Sequence, residues 1–263
     1  MLIHLTAQAE LLTAILKEGQ VQAKNPFGAA FNVDVLASSQ TVACFSEMAA
    51  LNSVATLADQ HGGYGLGFTK AWMQAQGAAP VWYLPRDSAV QTEFFNTVRE
   101  LAFHNRPDPS HPLWRVTPFV DYPRDAAPNE VAAPYDWRWE REWRIRGGLH
   151  FQPDDIALLF APESQHAWAI ELWKQETIEG WAGYMPPLVD THWPRDQQET
   201  VIRQGPAVVE VEFPEWTESW IDGADTAPSG DLGSAWDDER RDLQAELRDE
   251  LNGWLDEMAR DDI

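Results

Sequence analysis

Residues 135–145 read Tyr-Asp-Trp-Arg-Trp-Glu-Arg-Glu-Trp-Arg-Ile, and the fold turns on how that run is taken. Four of the eleven side chains are aromatic, with three arginines and two glutamates set between them. As a strand it alternates between two faces. Trp137, Trp139, Arg141, Trp143 and Ile145 then share one face, which reads as core with one stray charge. Arg138, Glu140, Glu142 and Arg144 share the other. Two carboxylates two residues apart on one face would stand roughly 7 Å apart, a spacing suited to paired work on a polar ligand. The same row also reads as a solvated edge strand laced with cross-strand salt bridges.

Working outward, short apolar runs, helical patterns and loops follow one another without a regular order. Residues 1–5 are apolar apart from His4, and Leu11, Leu12, Ile15 and Leu16 then repeat at helical spacing up to Gly19, a natural stop. His4 therefore falls at the end of a first strand. Residues 25–39 read as loop and 41–45 as a buried strand. Ser46 and Glu47 read as the cap of the next helix. Residues 61–68, His-Gly-Gly-Tyr-Gly-Leu-Gly-Phe, carry four glycines, which marks a turn where backbone approaches something closely or takes positive φ. Their spacing is not that of a phosphate-binding loop. Residues 80–84 and 113–120 read as strands. Residues 87–103 read as a helix whose face is Val90, Phe94, Phe95, Val98 and Leu101.

The tail has a different composition. Residues 204–239 contain no Lys or Arg and ten acidic side chains. Residues 207–213 alternate as a strand, and the stretch after them reads as an exposed linker. Residues 237–261 form an amphipathic pattern with Leu243, Leu247, Leu251, Trp254, Leu255 and Met258 on its apolar stripe. The organisation expected is a domain over residues 1–215, an acidic linker over 216–236 and a C-terminal helix over 237–263. The expected fold class is α+β, a split, mixed, mostly antiparallel sheet with flanking helices. Regular strand-helix alternation, the mark of a doubly wound fold, is missing.

Charge narrows the partners. With 19 basic against 42 acidic residues the net charge is −23. Such a surface repels nucleic-acid backbones and anionic membranes and favours a basic protein partner. Cys44 is the single cysteine, which rules out an intrachain disulfide and a cysteine-based zinc site. No apolar run approaches a membrane span and no secretory signal opens the chain, so a reducing cytoplasm is the expected location.

Three patterns now stand in order: strand, His4, Thr6 and a helix; the segment Tyr64-Gly65-Leu66-Gly67; and the strand bearing Glu140 and Glu142. Together they resemble the His-Tyr-Glu plan of the ADP-ribosyltransferase superfamily. The runs at residues 42–47, 64–68, 80–83 and 140–144 more closely resemble the AbiGi family of bacterial abortive-infection proteins, over roughly residues 1–165. The superfamily resemblance implies NAD as substrate, with Glu142, or Glu140 in its place, stabilising an oxocarbenium-like transition state. It implies further that His4, Thr6, Tyr64, Gly65, Gly67 and Arg144 bind NAD, with Tyr64 stacking on nicotinamide and Arg144 meeting the pyrophosphate. His4, Tyr64 and Glu142 should then project into one cleft from adjacent strand ends. The family resemblance implies instead an antitoxin-like module that binds a basic partner, its cognate toxin. Both readings stand at this point.

Overall fold

A computed structural model describes residues 1–48, 51–103, 107–122, 140–177 and 185–205, together with Asp249, Asn252, Gly253 and Asp256. The first half of the run at 135–145, the strand expected at 207–213, the linker and the apolar stripe of the C-terminal helix lie outside the described residues. Asp249, Asn252, Gly253 and Asp256 are helical. The chain divides into two compact units, Met1–Ile156 and Ala157–Ile263.

In the first unit the chain runs through β1 (Leu2–Thr6), α1 (Ala9–Glu18), β2 (Gln20–Val21), β3 (Asn25–Pro26), a 3-10 run (Asp34–Gln40) and β4 (Thr41–Glu47). It continues through α2 (Leu51–His61), β5 (Tyr64–Phe68), α3 (Lys70–Ala75), β6 (Ala79–Pro80), β7 (Trp82–Tyr83) and α4 (Ala89–Phe103). β8 (Val120–Asp121), β9 (Glu142–Arg146) and β10 (Leu149–His150) complete it. Five strands pair in the order β5-β1-β4-β9-β6, every pair antiparallel, and β3 adds to β4. β2 and β10 form an antiparallel ribbon and β7 and β8 a parallel one. Strand pairing in this unit is thus mostly antiparallel, as expected. The second unit holds a parallel pair, β11 (Leu158–Phe160) and β12 (Leu188–Val189), with helices α5 (His166–Thr177) and α6 (Arg195–Gln204).

A split runs through the middle of the main sheet. β1 pairs with β5 along its whole length, from Leu2↔Phe68 to Thr6↔Tyr64. Its pairing with β4 stops after Leu2↔Glu47 and Ile3↔Ser46. Beyond that point a cavity of about 290 Å³ lies between Thr6 on one side and Val42, Ala43 and Cys44 on the other.

Several local readings hold for the reasons given. Gly19 caps α1 at φ 56°, its N–H reaching the carbonyls of Ile15 and Leu16. On α4, Val98 is buried and Phe94, Phe95 and Leu101 pack against a cluster that includes Leu36, Trp114 and Val120, but Val90 stands in solvent. Other readings are corrected. Ser46 and Glu47 do not cap α2; both extend β4, because Ser46 pairs with Ile3 on one side and Glu142 on the other. Residues 113–120 are not a strand. Pro112 and Pro118 each sit at a 3-10 turn, where their missing N–H costs nothing, and only Val120 and Asp121 are extended. The glycine segment is not a turn either. Gly62 alone takes positive φ, at 106°, while Gly65 and Gly67 lie inside β5 opposite Leu5 and Ile3.

The close approach that those glycines announce is to β1. A Cβ on Gly65 would stand 2.2 Å from the His4 carbonyl oxygen and 2.8 Å from Leu5 Cδ2. Gly65→Ala should therefore lower stability by at least the roughly 1–3 kcal/mol typical of overpacking, since a backbone atom cannot step aside. Urea denaturation of the two proteins measures it; equal midpoints would show that β1 and β5 are not in this register.

Candidate functional site

Four of the five residues of β9 belong to the run at 135–145, and alternation places Glu142 and Arg144 on one face and Trp143 and Ile145 on the other. Cross-strand neighbours carry this assignment over the sheet. Glu142 lies opposite Ser46 and Arg144 opposite Cys44, while Trp143 lies opposite Phe45. The Glu142 face borders a cavity of about 350 Å³, with Leu5, Phe27, His61, Tyr83, Asp121 and Glu140 also in its wall.

Arg144 organises that wall. Its side chain is 2% exposed. Nε donates to Glu142 Oε1 at 2.8 Å and Nη2 to Glu142 Oε2 at 3.1 Å. Nη2 also reaches Asp121 Oδ2 at 3.1 Å, Nη1 donates to the Pro118 carbonyl at 2.7 Å, and the guanidinium lies 4.9 Å from the centre of the Phe27 ring. Burial works against its positive charge, but the Glu142 carboxylate more than offsets this and raises the pKa. The Tyr83 hydroxyl donates to Glu142 Oε2. Burial, and then the Glu142 charge, push the Tyr83 pKa up, so it stays a neutral donor. The same two causes push up the Cys44 thiol, which makes it a poor nucleophile.

Glu140 reaches the cavity by another route. It precedes β9, in a turn whose next residue, Arg141, has φ 49°. A non-glycine residue in that region costs about 1–2 kcal/mol, so something must hold it. Glu47 does: its N–H donates to the Arg141 carbonyl at 3.3 Å, and its Oε1 accepts from Arg141 Nη2 at 3.2 Å. Glu47 also accepts from Lys70 Nζ at 2.6 Å and Trp143 Nε1 at 2.9 Å. Burial alone would raise its pKa, but the Lys70 and Trp143 hydrogen bonds outweigh burial and lower it. Glu140 itself is 4% exposed and takes His61 Nε2 at 3.3 Å on both oxygens. That hydrogen bond raises the His61 pKa against the opposing effect of burial.

His4 stands at the split in the sheet. Its Nδ1 lies 2.9 Å from the Cys44 carbonyl, which can only accept, so Nδ1 carries the proton. Burial lowers its pKa, and the ring is neutral near pH 7.

Of the residues singled out from the sequence, the structure brings Glu142, Glu140, Arg144 and His4 to one cavity. Thr6, Tyr64, Gly65 and Gly67 are not in its wall. Thr6 lines the neighbouring cavity in the split, its hydroxyl donating to the Gln8 carbonyl at 3.2 Å. Tyr64 pairs with Thr6, three residues from Gly67, which lies opposite Ile3. Ile3 is the partner of Ser46, and Ser46 of Glu142. Tyr64 therefore points to the opposite face from Glu142. Tyr64 is thus outside the expected convergence with Glu142, while His4, which leaves β1 on the same face as Tyr64, enters the cavity wall where β1 and β4 part. Nor does Arg144 reach out toward a pyrophosphate, since each of its three nitrogens is engaged inside the wall.

Sequence reasoning missed Tyr83, Asp121, His61 and Phe27. Tyr83 and His61 both belong to runs singled out at the start, where an aromatic strand residue and a helix-terminal histidine carry no signal of their own. Asp121 and Phe27 come from segments with no pattern.

Two outcomes follow for stability. Arg144→Met strips Asp121 and Glu142 of their shared cation and should cost about 3–5 kcal/mol in urea unfolding; a loss near zero would show that the network is not formed. For His61, the folded-state pKa is raised above the ordinary 6.5. The stability from its pairing with Glu140 is thus fully present below about pH 6 and lost as pH rises through the folded-state value. The stability difference between the wild type and His61→Asn should shrink steadily as pH rises above the ordinary histidine value, as read from urea midpoints across a pH series.

A family model described as "Putative abortive phage resistance protein AbiGi, antitoxin" matches residues 10–156, more than half of the chain. No curated protein and no solved structure matches.

Proposed function

We propose a phage-defence role for this chain, which belongs to the AbiGi family of putative abortive phage resistance proteins, and propose that its cavity is an NAD site of ADP-ribosyltransferase type. One observation carries this reading: two carboxylates, Glu142 and Glu140, face a single cavity that also receives His4 from the first strand. The wall holds three carboxylates, with Asp121, against one arginine and the His61 ring. That imbalance suits the cationic nicotinamide ring. No helix among the described residues is long and apolar enough to cross a membrane.

In the proposed reaction the bond between nicotinamide nitrogen and ribose C1′ breaks. Its electron pair stays on nicotinamide, which leaves neutral, and the ribose passes through an oxocarbenium-like state. Glu142 stabilises the developing positive charge and holds a ribose hydroxyl. Tyr83 and Arg144 keep its carboxylate oriented. The acceptor's lone pair then forms the new bond to C1′, and the acceptor's proton passes to Glu140. Tyr83, in the cavity wall, takes the stacking role that the superfamily resemblance had assigned to Tyr64.

The experiment is nicotinamide release by the purified chain and its variants. Glu142→Gln should abolish release with its circular dichroism unchanged, because the amide keeps the size and removes the charge. Glu140→Gln should lose roughly tenfold to hundredfold. A folded Glu142→Gln protein with wild-type turnover sinks the assignment.

A second reading, a non-catalytic antitoxin module binding a basic partner, is favoured by the family description and by the net charge of −23. A lysine or arginine of such a partner suits the same carboxylate-rich cavity. Calorimetry separates the two readings. Heat on NAD addition supports the enzyme; none at millimolar NAD, with nicotinamide release also nil, supports the module.

A further inference from the structure

We infer that Glu47 is a positioning residue for the cavity, the clamp that holds Glu140 toward it; its consequence for turnover rests on the reading proposed above, whereas its consequence for geometry does not. Glu47 lies on the far side of the sheet from the cavity. Its register partner is Leu2, one step from the Ile3, Ser46 and Glu142 row, and its carboxylate accepts from Trp143 Nε1 on that far face. Arg141 is drawn to the same side by two contacts with Glu47, one through its backbone carbonyl and one through its guanidinium. Its neighbours on either side are thereby turned to the cavity.

Without the clamp nothing in the local chain favours this arrangement. Arg141 sits at φ 49°, where L side chains are strained. Relaxing it toward extended backbone would realign the peptide carrying Glu140. Glu140 is then the group to move, since Glu142 is separately held by Tyr83 and Arg144. The displacement would be reported by His61, whose ring touches both Glu140 oxygens and faces the Glu142 charge and the His4 ring as well.

The test follows the His61 ring by NMR titration in the full chain, with unfolding midpoints measured alongside. Glu47→Gln and Arg141→Met both remove the ion pair and leave a strained φ at residue 141, whereas Arg141→Gly accepts positive φ without strain and keeps the backbone contact. In the first two the His61 midpoint should fall toward the ordinary histidine value while the protein stays folded, and in Arg141→Gly it should hold. Arg141→Lys, which restores a cation to Glu47, should recover most of the wild-type midpoint. Lys70→Met breaks the other ion pair of the same carboxylate and should lower stability without moving His61. The inference is overturned if His61 titrates alike in wild type and folded Glu47→Gln. It is overturned equally if Lys70→Met moves His61 as far as Arg141→Met does, since general loosening then explains the shift.

On turnover, Glu47→Gln should lower kcat roughly tenfold to hundredfold with KM within about twofold. If the wild type releases no nicotinamide but the His61 midpoints move as described, the clamp stands and the transferase reading falls. If turnover is present and Glu47→Gln leaves it intact while shifting His61, Glu47 does not position the reacting groups.

Discussion

A guanidinium buried to 2% exposure is the constraint around which the first unit is assembled. Taking such a charge out of water costs several kcal/mol, and the cost is recovered only if every donor is met in good geometry. Arg144 engages all three of its nitrogens with groups from three parts of the chain: Glu142 on its own strand, the Pro118 carbonyl and Asp121 at the start of β8, and, stacked against it, the Phe27 ring beyond β3. Each of these segments is short and weakly patterned alone. The planar fork of arginine fits them jointly in a way that a lysine point charge would not. The cavity is the space left on the solvent side of this network, so its polar wall and the interior of the fold are one structure.

The two faces of β9 divide the labour. On the cavity face, Glu142 and Arg144 satisfy each other and recruit Tyr83. On the other, Trp143 is buried and spends its indole N–H on Glu47, with Lys70 5.6 Å from its ring centre. Glu47 thus serves as a polar hub on the apolar side, as Arg144 does on the polar side. A buried carboxylate with three cationic or N–H donors is well satisfied, and that is why Glu47 extends β4 rather than capping the helix after it. The strained Arg141 turn lies between the two hubs and is held from one of them.

The split between β1 and β4 joins fold and site. Two paired residues suffice to align the strands at Ile3, after which the chain parts around the His4 ring and its bond to the Cys44 carbonyl. The carboxylate cavity lies on one side of that histidine and the smaller cavity with Thr6 on the other, and His4, Phe27 and Cys44 border both.

Much of this was determined by local sequence. Helix α1 with its Gly19 stop, the packed face of α4, the mostly antiparallel sheet and the polar side of β9 each follow from periodicity and turn chemistry acting within a few residues. The pairing of Glu142 with Arg144 follows from their separation by two along a strand. What only the tertiary structure decided is which strand lies beside which and in what register. Register turned Tyr64 away from Glu142, since one step along a strand reverses the face. It placed Gly65 and Gly67 against β1 rather than against a ligand. It brought His61, Tyr83, Asp121 and Phe27 into the cavity wall from segments separated by as much as a hundred residues. Such contacts form because buried charges and N–H groups need partners wherever the chain can supply them, and no local pattern records which partner will be within reach.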